Sequence, residues 1–219
     1  YFEIAVGAGW NLNNLIMELT QQSISCLEDL YGIPGTVGGS IRGNCGVTNF
    51  EIKDVVSKVY NLDWLRFNDY NFEIKTYNQN ECGFGYRESI FKRKANIIWE
   101  TNLVGKKCNE TIIKEKIKNI MDKRLKNQPY EFPNSGSTFK NVNLNEFDSN
   151  IWNSENLLVV DCEHRQQVPA GWLIDQCGLK GFSINGVKIS EKHANFIVNF
   201  DNAKSLDTFN LISFIKQKV

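Results

Sequence analysis

The sequence has little of the residue types from which metal sites and disulfide frameworks are built. It contains two histidines, His164 and His193, and no CxxC pair among its six cysteines. A structural zinc site needs four nitrogen or sulfur ligands, and disulfide frameworks belong mainly to small secreted domains. The sequence therefore predicts no metal site and reduced thiols of the kind found in the cytoplasm.

An excess of charge and long apolar runs are also missing. Lysine and arginine total 25, aspartate and glutamate total 25, and the net charge at pH 7 is therefore zero. Such a balance does not indicate nucleic acid or an anionic membrane as the main partner. No segment reaches the roughly 18 apolar residues that a membrane-spanning helix needs. We expect no nucleic-acid binding and no membrane insertion, and no obligate protein partner is evident.

The remaining composition is that of an ordinary globular protein. The 219 residues are 42% hydrophobic and 23% charged, which allows one sizeable domain or two small ones. Alternation over residues 1–6 predicts a strand, and an amphipathic pattern after a cap at Asn11 predicts a helix. A boundary is expected near residues 105–109, where the composition changes. It divides the chain into 1–107 and 108–219.

Strand and helix patterns alternate along the rest of the chain, which predicts an α+β fold. Residues 54–75 and 96–103 have strand patterns, the first with aromatics at Trp64, Phe67, Tyr70 and Phe72. Later elements are an amphipathic helix at 112–121, a polar loop over 133–145, a short helix at 170–177 stopped by Gly178, and strands near 182–189 and 195–199. A last helix is expected to begin at a Ser205 cap and to bury Phe209, Ile212 and Ile215.

The glycine-rich segment 32–40 is the first candidate binding element. Closely spaced glycines let the backbone approach a ligand, and successive N–H groups can point at a phosphate. The segment matches neither GxGxxG nor GxxxxGK[ST], so it is neither a Rossmann turn nor a P-loop. These residues alone are equally compatible with a structural turn. Asn44 and Gly46 extend the stretch of backbone that could lie against a cofactor.

Two further segments carry side chains suited to chemistry. The guanidinium of Arg87 has the geometry to bind a carboxylate or phosphate, and a surface pair with Glu88 is the alternative. Ser137, between a glycine and a threonine, could hold its hydroxyl against a substrate or bond the backbone of its own turn. The pattern is not GxSxG, which disfavours a serine hydrolase. A lone histidine such as His193 is more typical of packing than of catalysis.

Several stretches share one order and spacing along nearly the whole chain: VGAGW (6–10), GIPGTVGG (32–39), NCG (44–46), FGYRESIF (84–91), QP (128–129), SGSTFKN (135–141), AGWLIDQCGLKG (170–181) and EKHANFIVN (191–199). In this order they resemble one family, UDP-N-acetylenolpyruvoylglucosamine reductase, known as MurB. No single stretch decides the matter, but their order does.

The resemblance implies the remainder of a vanillyl-alcohol-oxidase-type FAD-binding domain over 1–107 and a small α+β substrate-binding domain over 108–219. It implies a cytoplasmic enzyme of peptidoglycan synthesis that uses NADPH and FAD. The substrate would be a UDP-amino sugar, UDP-N-acetylglucosamine enolpyruvate, which is reduced to UDP-N-acetylmuramate.

The resemblance also implies roles for single residues. Arg87 matches the residue that stabilises enolate-like charge, and Ser137 matches the proton donor. The predicted substrate contacts are Arg87, Asn141 and His193. The positions that match the flavin-binding stretch are Gly32, Ile33, Pro34, Gly35, Thr36, Gly38, Gly39, Asn44 and Gly46.

The chain also departs from the family pattern. The family has an FAD-binding lobe before residue 1 and a catalytic glutamate beyond residue 219, and Glu191 lies in a different segment from that glutamate. Val47-Thr48-Asn49 replaces a stretch with an aromatic residue, and the short connection from Leu103 to Ile112 leaves no room for the tyrosine-bearing loop of one subgroup. We expect a fragment that is inactive by itself. The alternatives are another FAD-dependent oxidoreductase of the superfamily and a non-catalytic nucleotide-sugar-binding relic.

Overall fold

The structure, a computed structural model, describes residues 1–63, 73–93, 96–146, 157–162 and 165–219. These residues form two compact units, Tyr1–Asp122 and Lys123–Val219. The division lies later than the boundary expected at 107/108, because Ile113 and Ile117 pack in the core of the first unit. Helices and antiparallel sheets occur in both units, and the predicted α+β class is confirmed.

The first unit is built around an antiparallel sheet of five strands. The strands of the unit are β1 Phe2–Gly7, β2 Ile24–Ser25, β3 Gly46–Val47, β4 Phe50–Glu51, β5 Val56–Asp63, β6 Ile74–Asn78 and β7 Asn96–Lys107. The helices are α1 Leu12–Gln21, α2 Val37–Arg42, α3 Ile90–Arg93 and α4 Glu110–Asn127, in which the division between the units falls. The sheet has the order β1-β7-β5-β6 with β2 also paired to β7, and β3 and β4 form a separate hairpin.

The local sequence explains several of these elements. The side chain of Asn11 accepts a hydrogen bond from the Asn14 N–H, as the predicted helix cap requires. The apolar positions of α1 are buried at i, i+3, i+4 and i+7, so the helix packs one face on the core. The strands predicted at 1–6 and 96–103 are also confirmed. The aromatics Trp64, Phe67, Tyr70 and Phe72 lie outside the described residues.

The described residues of the second unit form two antiparallel sheets and two α-helices. The strands are β8 Asn134–Ser137, β9 Val142–Asn143, β10 Val160–Cys162, β11 Arg165–Val168, β12 Ser183–Ile184, β13 Val187–Ile189 and β14 Phe196–Asn199; the helices are α5 Ala170–Gln176 and α6 Ser205–Lys218. One sheet has the order β12-β13-β14-β8 and the other β10-β11-β9. A buried apolar cluster lies between the first sheet and the helices, and it includes Ile174, Ile189 and Leu211.

Two predictions for this unit are wrong. The expected polar loop over 133–145 contains β8 and β9, since its first residues pair with β14 although they show no apolar alternation. In α6 the buried residues are Asp207, Leu211 and Ile215, spaced four apart on one face. Phe209 lies off this face and is 65% exposed rather than buried.

The described ranges contain no helix long and apolar enough to cross a bilayer. The cysteines whose side chains can be described are free thiols: Cys26, Cys45, Cys82, Cys108 and Cys177.

Candidate functional site

Arg87 lies in a tight turn of the first unit. Gly85 and Glu88 exchange two backbone hydrogen bonds of 3.0 Å, and Tyr86 and Arg87 lie between them. Arg87 has φ +55°, a conformation that costs a residue with a side chain about 1–2 kcal/mol. Glycine usually occupies such a position in a two-residue turn. An arginine instead occupies this strained position, and strained residues of this kind cluster where the side chain has a function.

The guanidinium of Arg87 is held by partners on the segment that leads into the β3–β4 hairpin. Nη2 donates to the Gly46 carbonyl at 2.5 Å, and Nη1 donates to the Asn44 carbonyl at 3.4 Å. Nη1 also lies 3.8 Å from Oε1 of Glu51. A guanidinium has five N–H donors, so donors remain for an anion. The side chain is 35% exposed, so an anion can reach it.

The predicted alternative partner, Glu88, is used differently. Its Oε1 accepts a hydrogen bond from the Ser89 N–H at 3.2 Å. Among the described residues, the carboxylate within ion-pair distance of Arg87 is that of Glu51. Sequence reasoning missed Glu51, because nothing in the spacing of residues 51 and 87 signals that the fold brings them together.

Asn44 connects the turn of Arg87 to the β3–β4 hairpin through side-chain hydrogen bonds. Its side chain is fully buried, and Nδ2 donates to Glu51 Oε2 at 2.7 Å and to the Gly85 carbonyl at 2.9 Å. Its Oδ1 accepts from the Lys53 N–H at 3.3 Å. Both amide hydrogens are thus used within the protein, and none is left for a cofactor. The predicted cofactor contact of Asn44 stays a prediction.

Gly46 is a glycine because of close packing in the same hairpin. A Cβ at this position would lie 2.6 Å from Glu51 Cγ and 2.7 Å from the Phe50 carbonyl oxygen. Real Cβ atoms do not approach other atoms so closely, so only glycine fits against β4. Its carbonyl is also the acceptor for Arg87. The structure therefore gives Gly46 a packing role beside its predicted cofactor contact.

The first residues of the glycine-rich segment are anchored to α1. Asn13 Oδ1 accepts from the Gly32 N–H at 2.7 Å, and Asn13 Nδ2 donates to the Ile33 carbonyl at 3.0 Å. Pro34, Gly35 and Thr36 follow as an exposed stretch.

The N–H groups at the start of α2 already have acceptors in the protein. The N–H groups of Val37 and Gly38 donate to the carbonyls of Trp10 and Ala8, and that of Gly39 donates to Thr36 Oγ1. Within the described part of the chain, the N–H groups of Gly35 and Thr36 have no acceptor. Of the N–H groups that were predicted to point at a phosphate, those of Gly35 and Thr36 therefore remain as candidates. Gly35 has φ +129°, and a Cβ at this position would have no atom within 4 Å, so the backbone is open there.

Beside this segment lies an open cleft that sequence reasoning did not identify. Residues 7–10 and 98–100 line it, and the Ala8 N–H of the first segment donates to the Trp99 carbonyl of the second at 2.8 Å. The indoles of Trp10 and Trp99 are 48% and 59% exposed. The only sequence signal was the VGAGW stretch that contributes to the resemblance.

Ser137 lies in the second unit, where it is the last residue of β8. It pairs with Phe196 of β14, and the next residue, Thr138, donates its N–H to the Asn195 carbonyl at 2.8 Å. Gly136, just before it, has φ +81°, and a Cβ at this position would have no described atom within 4 Å. The Ser137 side chain is exposed, and its hydroxyl has no hydrogen-bond partner among the residues the structure describes. The backbone is therefore fixed while the hydroxyl is available to a ligand.

The other two predicted substrate contacts of this unit have partners within it. Asn141 donates Nδ2 to Gln167 Oε1 at 3.4 Å and accepts the Ala170 N–H on Oδ1 at 3.2 Å. His193 accepts the Asn195 N–H on Nδ1 at 3.2 Å. Burial of the ring lowers the pKa of His193, and the ammonium of Lys180 lowers it further. The imidazole is therefore neutral at pH 7.

The described ranges contain no group of three or more His, Cys, Asp or Glu side chains that could hold a metal ion. His164 lies outside those ranges.

Comparisons with known proteins give a consistent result. Residues 128–219 match the family described as UDP-N-acetylenolpyruvoylglucosamine reductase, C-terminal domain. The chain is 36% identical over 218 residues to the UDP-N-acetylenolpyruvoylglucosamine reductase of Fervidobacterium nodosum, covering 99% of this chain and 61% of the relative. The reductase of Carboxydothermus hydrogenoformans is 35% identical over 217 residues, with 99% and 62% covered. The chain thus spans about three fifths of the length of these relatives.

A solved structure is similar along the same range. The crystal structure of UDP-N-acetylenolpyruvylglucosamine reductase from Thermus caldophilus has a TM-score of 0.77 and 30% sequence identity to this chain. The match covers 99% of this chain and 69% of the other.

Proposed function

Because the chain belongs to the UDP-N-acetylenolpyruvoylglucosamine reductase family, we propose that this protein reduces the enolpyruvyl ether of a UDP-amino sugar with NADPH and FAD. The product would be UDP-N-acetylmuramate, a precursor of peptidoglycan. The observation that carries the proposal is similarity to the reductases along 99% of the chain, including the segments of Arg87 and Ser137. A nucleotide-sugar substrate and NADPH favour the cytoplasm as its location.

One part of the glycine-rich segment is open and suits FAD, whereas another part is packed against the rest of the protein. Gly35 and Thr36 present exposed N–H groups on open backbone, which suits a phosphate. Gly38 and Gly46 are closely packed, so they would shape the segment rather than touch the cofactor. When bound, FAD would supply the hydride that NADPH provides.

Arg87 would stabilise the charge that develops during reduction. Hydride addition to the terminal carbon breaks the π bond of the enolpyruvyl group and moves its electron pair towards the neighbouring carbon and the carboxylate. A cation or strong donor aimed at this charge lowers the barrier. The guanidinium retains free N–H donors after its bonds to Asn44 and Gly46, so it can bind the carboxylate with more than one of them.

Ser137 would complete the reaction as proton donor. The carbon that carries the developing charge takes the hydroxyl proton, and the serine oxygen regains a proton from water. A serine hydroxyl is a weak acid, so the transfer depends on the basicity of the carbanion. The Ser137 side chain is exposed on a fixed backbone, which suits both steps. Asn141 and neutral His193 would contact the substrate as uncharged polar groups.

Three spectroscopic observations on the purified full-length natural protein, of which the 219 residues are a part, test this function. We expect a yellow protein that takes up FAD, loses the flavin absorbance with NADPH in the absence of oxygen, and regains it with the enolpyruvyl substrate. A colourless protein that does not take up FAD would exclude a flavoenzyme. Bleaching by NADPH without recovery on addition of the substrate would instead favour a related FAD oxidoreductase with another substrate.

A further inference from the structure

We propose that Glu51 is a positioning residue for Arg87, which orients the guanidinium so that its free N–H groups meet the carboxylate of the substrate. The inference rests on the proposed function, since it assigns Arg87 a carboxylate ligand. Glu51 has no role in the resemblance, and its contribution follows from contacts within the first unit.

The Glu51 carboxylate is buried and well compensated. Its side chain is 2% exposed. Oε2 accepts from Asn44 Nδ2 at 2.7 Å and from Lys53 Nζ at 2.8 Å, and Oε1 faces Arg87. A carboxylate removed from water is stable only when it is paired and hydrogen-bonded, and these three groups provide that compensation.

The distances separate the roles of the two cations around this carboxylate. Lys53 is close enough for a charge-assisted hydrogen bond, whereas the 3.8 Å between Arg87 Nη1 and Glu51 Oε1 exceeds hydrogen-bond length. Glu51 therefore attracts the guanidinium without using one of its N–H donors. Because Lys53 bonds the same carboxylate, Arg87 is not the sole cation that neutralises it, and its charge remains available to an incoming anion.

The two carbonyls that Arg87 contacts do not fix its direction alone. Both belong to the short segment from Asn44 to Gly46, and the bond to Asn44 is long at 3.4 Å. The Tyr86 ring also borders the guanidinium, and its centre lies 5.1 Å from Cζ. With the carboxylate removed, an arginine on a strained turn would keep one short hydrogen bond and could swing about it. A misdirected donor loses much of its effect on a bound carboxylate.

A pair of substitutions at Glu51 and one matched control test the proposal. Glu51→Gln removes the charge and keeps the size, and Glu51→Asp keeps the charge on a shorter side chain. Glu88→Gln removes a carboxylate from the residue next to Arg87 that makes no ion pair with it among the described residues. Calorimetric titration of the natural protein measures the affinity for two ligands, the enolpyruvyl substrate and UDP-N-acetylglucosamine, which lacks the carboxylate.

We expect Glu51→Gln to weaken binding of the enolpyruvyl substrate about 10–100-fold, by analogy with residues that orient metal-binding side chains. Binding of UDP-N-acetylglucosamine should not change, Glu51→Asp should recover part of the loss, and Glu88→Gln should behave as wild type. Equal weakening for both ligands, or none for either, would refute a positioning role. If Glu51→Gln does not fold, the ligand preference of Glu51→Asp decides between the same outcomes. A wild-type protein without preference for the carboxylate-bearing ligand would instead overturn the proposed function.

Discussion

The side chain of Asn195 and the backbone of Phe139 bond to each other twice. The Phe139 N–H donates to Asn195 Oδ1 at 2.9 Å, and Asn195 Nδ2 donates to the Phe139 carbonyl at 2.9 Å. Asn195 is buried at 3% exposure, so water does not compete for these bonds. The same residue accepts the Thr138 N–H on its carbonyl. One asparagine therefore holds the chain immediately after Ser137.

Replacement of Asn195 should destabilise the second unit. Asn195→Ala removes both side-chain hydrogen bonds and leaves the N–H and the carbonyl of the half-buried Phe139 without these partners, which should lower the free energy of unfolding by about 1–3 kcal/mol. Urea denaturation followed by circular dichroism measures the change. Asn210→Ala, at an exposed position of α6, is the control and should stay within about 0.5 kcal/mol of wild type. Equal stability of the two variants would contradict the role given to Asn195.

Two fully buried asparagines in the first unit should respond in opposite directions to the same change. Asn61 is 0% exposed, and neither polar atom of its side chain has a hydrogen-bond partner among the residues that the structure describes. Asn61→Leu should raise the free energy of unfolding by about 1–2 kcal/mol, because it removes two unsatisfied groups.

Asn44→Leu is the matched substitution. It breaks three hydrogen bonds and places a bulkier residue at φ +42°, so a loss of about 3–5 kcal/mol is expected. Chemical denaturation of both variants in one buffer gives the comparison. A loss of similar size at both positions would show that Asn61 has a partner or a role that the described residues do not reveal.

Ser137→Ala should separate the two halves of the proposed reaction. Reduction of the flavin by NADPH should proceed at the wild-type rate, since no proton is delivered to the substrate in that step. Reoxidation by the enolpyruvyl substrate should slow about 10²–10⁴-fold, the range for loss of a general acid. Stopped-flow absorbance records both steps. Ser183→Ala, at an exposed position of β12, should change neither step, and an unchanged reoxidation rate in Ser137→Ala would remove Ser137 from the mechanism.

His193 should make the protein less stable in weak acid. Burial holds the pKa of His193 below its ordinary value of 6.5, so the unfolded chain binds a proton more readily than the folded protein. The stabilisation is complete above 6.5 and is lost as the pH falls through the lower folded value. Titration of the ring signals by NMR, with His193→Gln to assign them, should give a pKa below 6.5. A pKa at or above 6.5 would contradict the burial argument.

The sequence predicted those elements whose pattern is local. The cap at Asn11 and the spacing of apolar residues after it define α1 without help from the rest of the fold. Strand β8 could not be predicted in this way, because the residues Asn-Ser-Gly-Ser have no apolar alternation and become a strand by pairing with β14. The place of Phe209 was also missed, since the buried face of α6 is set by Leu211 and Ile215.

The candidate site shows the same division between local and non-local information. Arg87 and Ser137 stand out as candidates in the sequence because each lies in a short stretch of a recognisable pattern, and their roles stay predictions. The partners that fix them were not, since Glu51 reaches Arg87 and Asn195 reaches Phe139 across long stretches of chain. The positions of the glycines indicated where the backbone is crowded or unusual, but not whether packing or a ligand requires a glycine there. Gly38 and Gly46 are required by packing against Ala8 and Glu51.

The pairing of β1 with β7 has a consequence for synthesis of the protein. Phe2 lies opposite Gly105, so β1 cannot pair with β7 until β7 has left the ribosome. At about 5–20 residues per second, the roughly one hundred intervening residues take on the order of 5–20 s to emerge. During that time the edge of β1 that later bonds to β7 is free to pair with other chains. Slow folding and a need for chaperones during translation are the expected result.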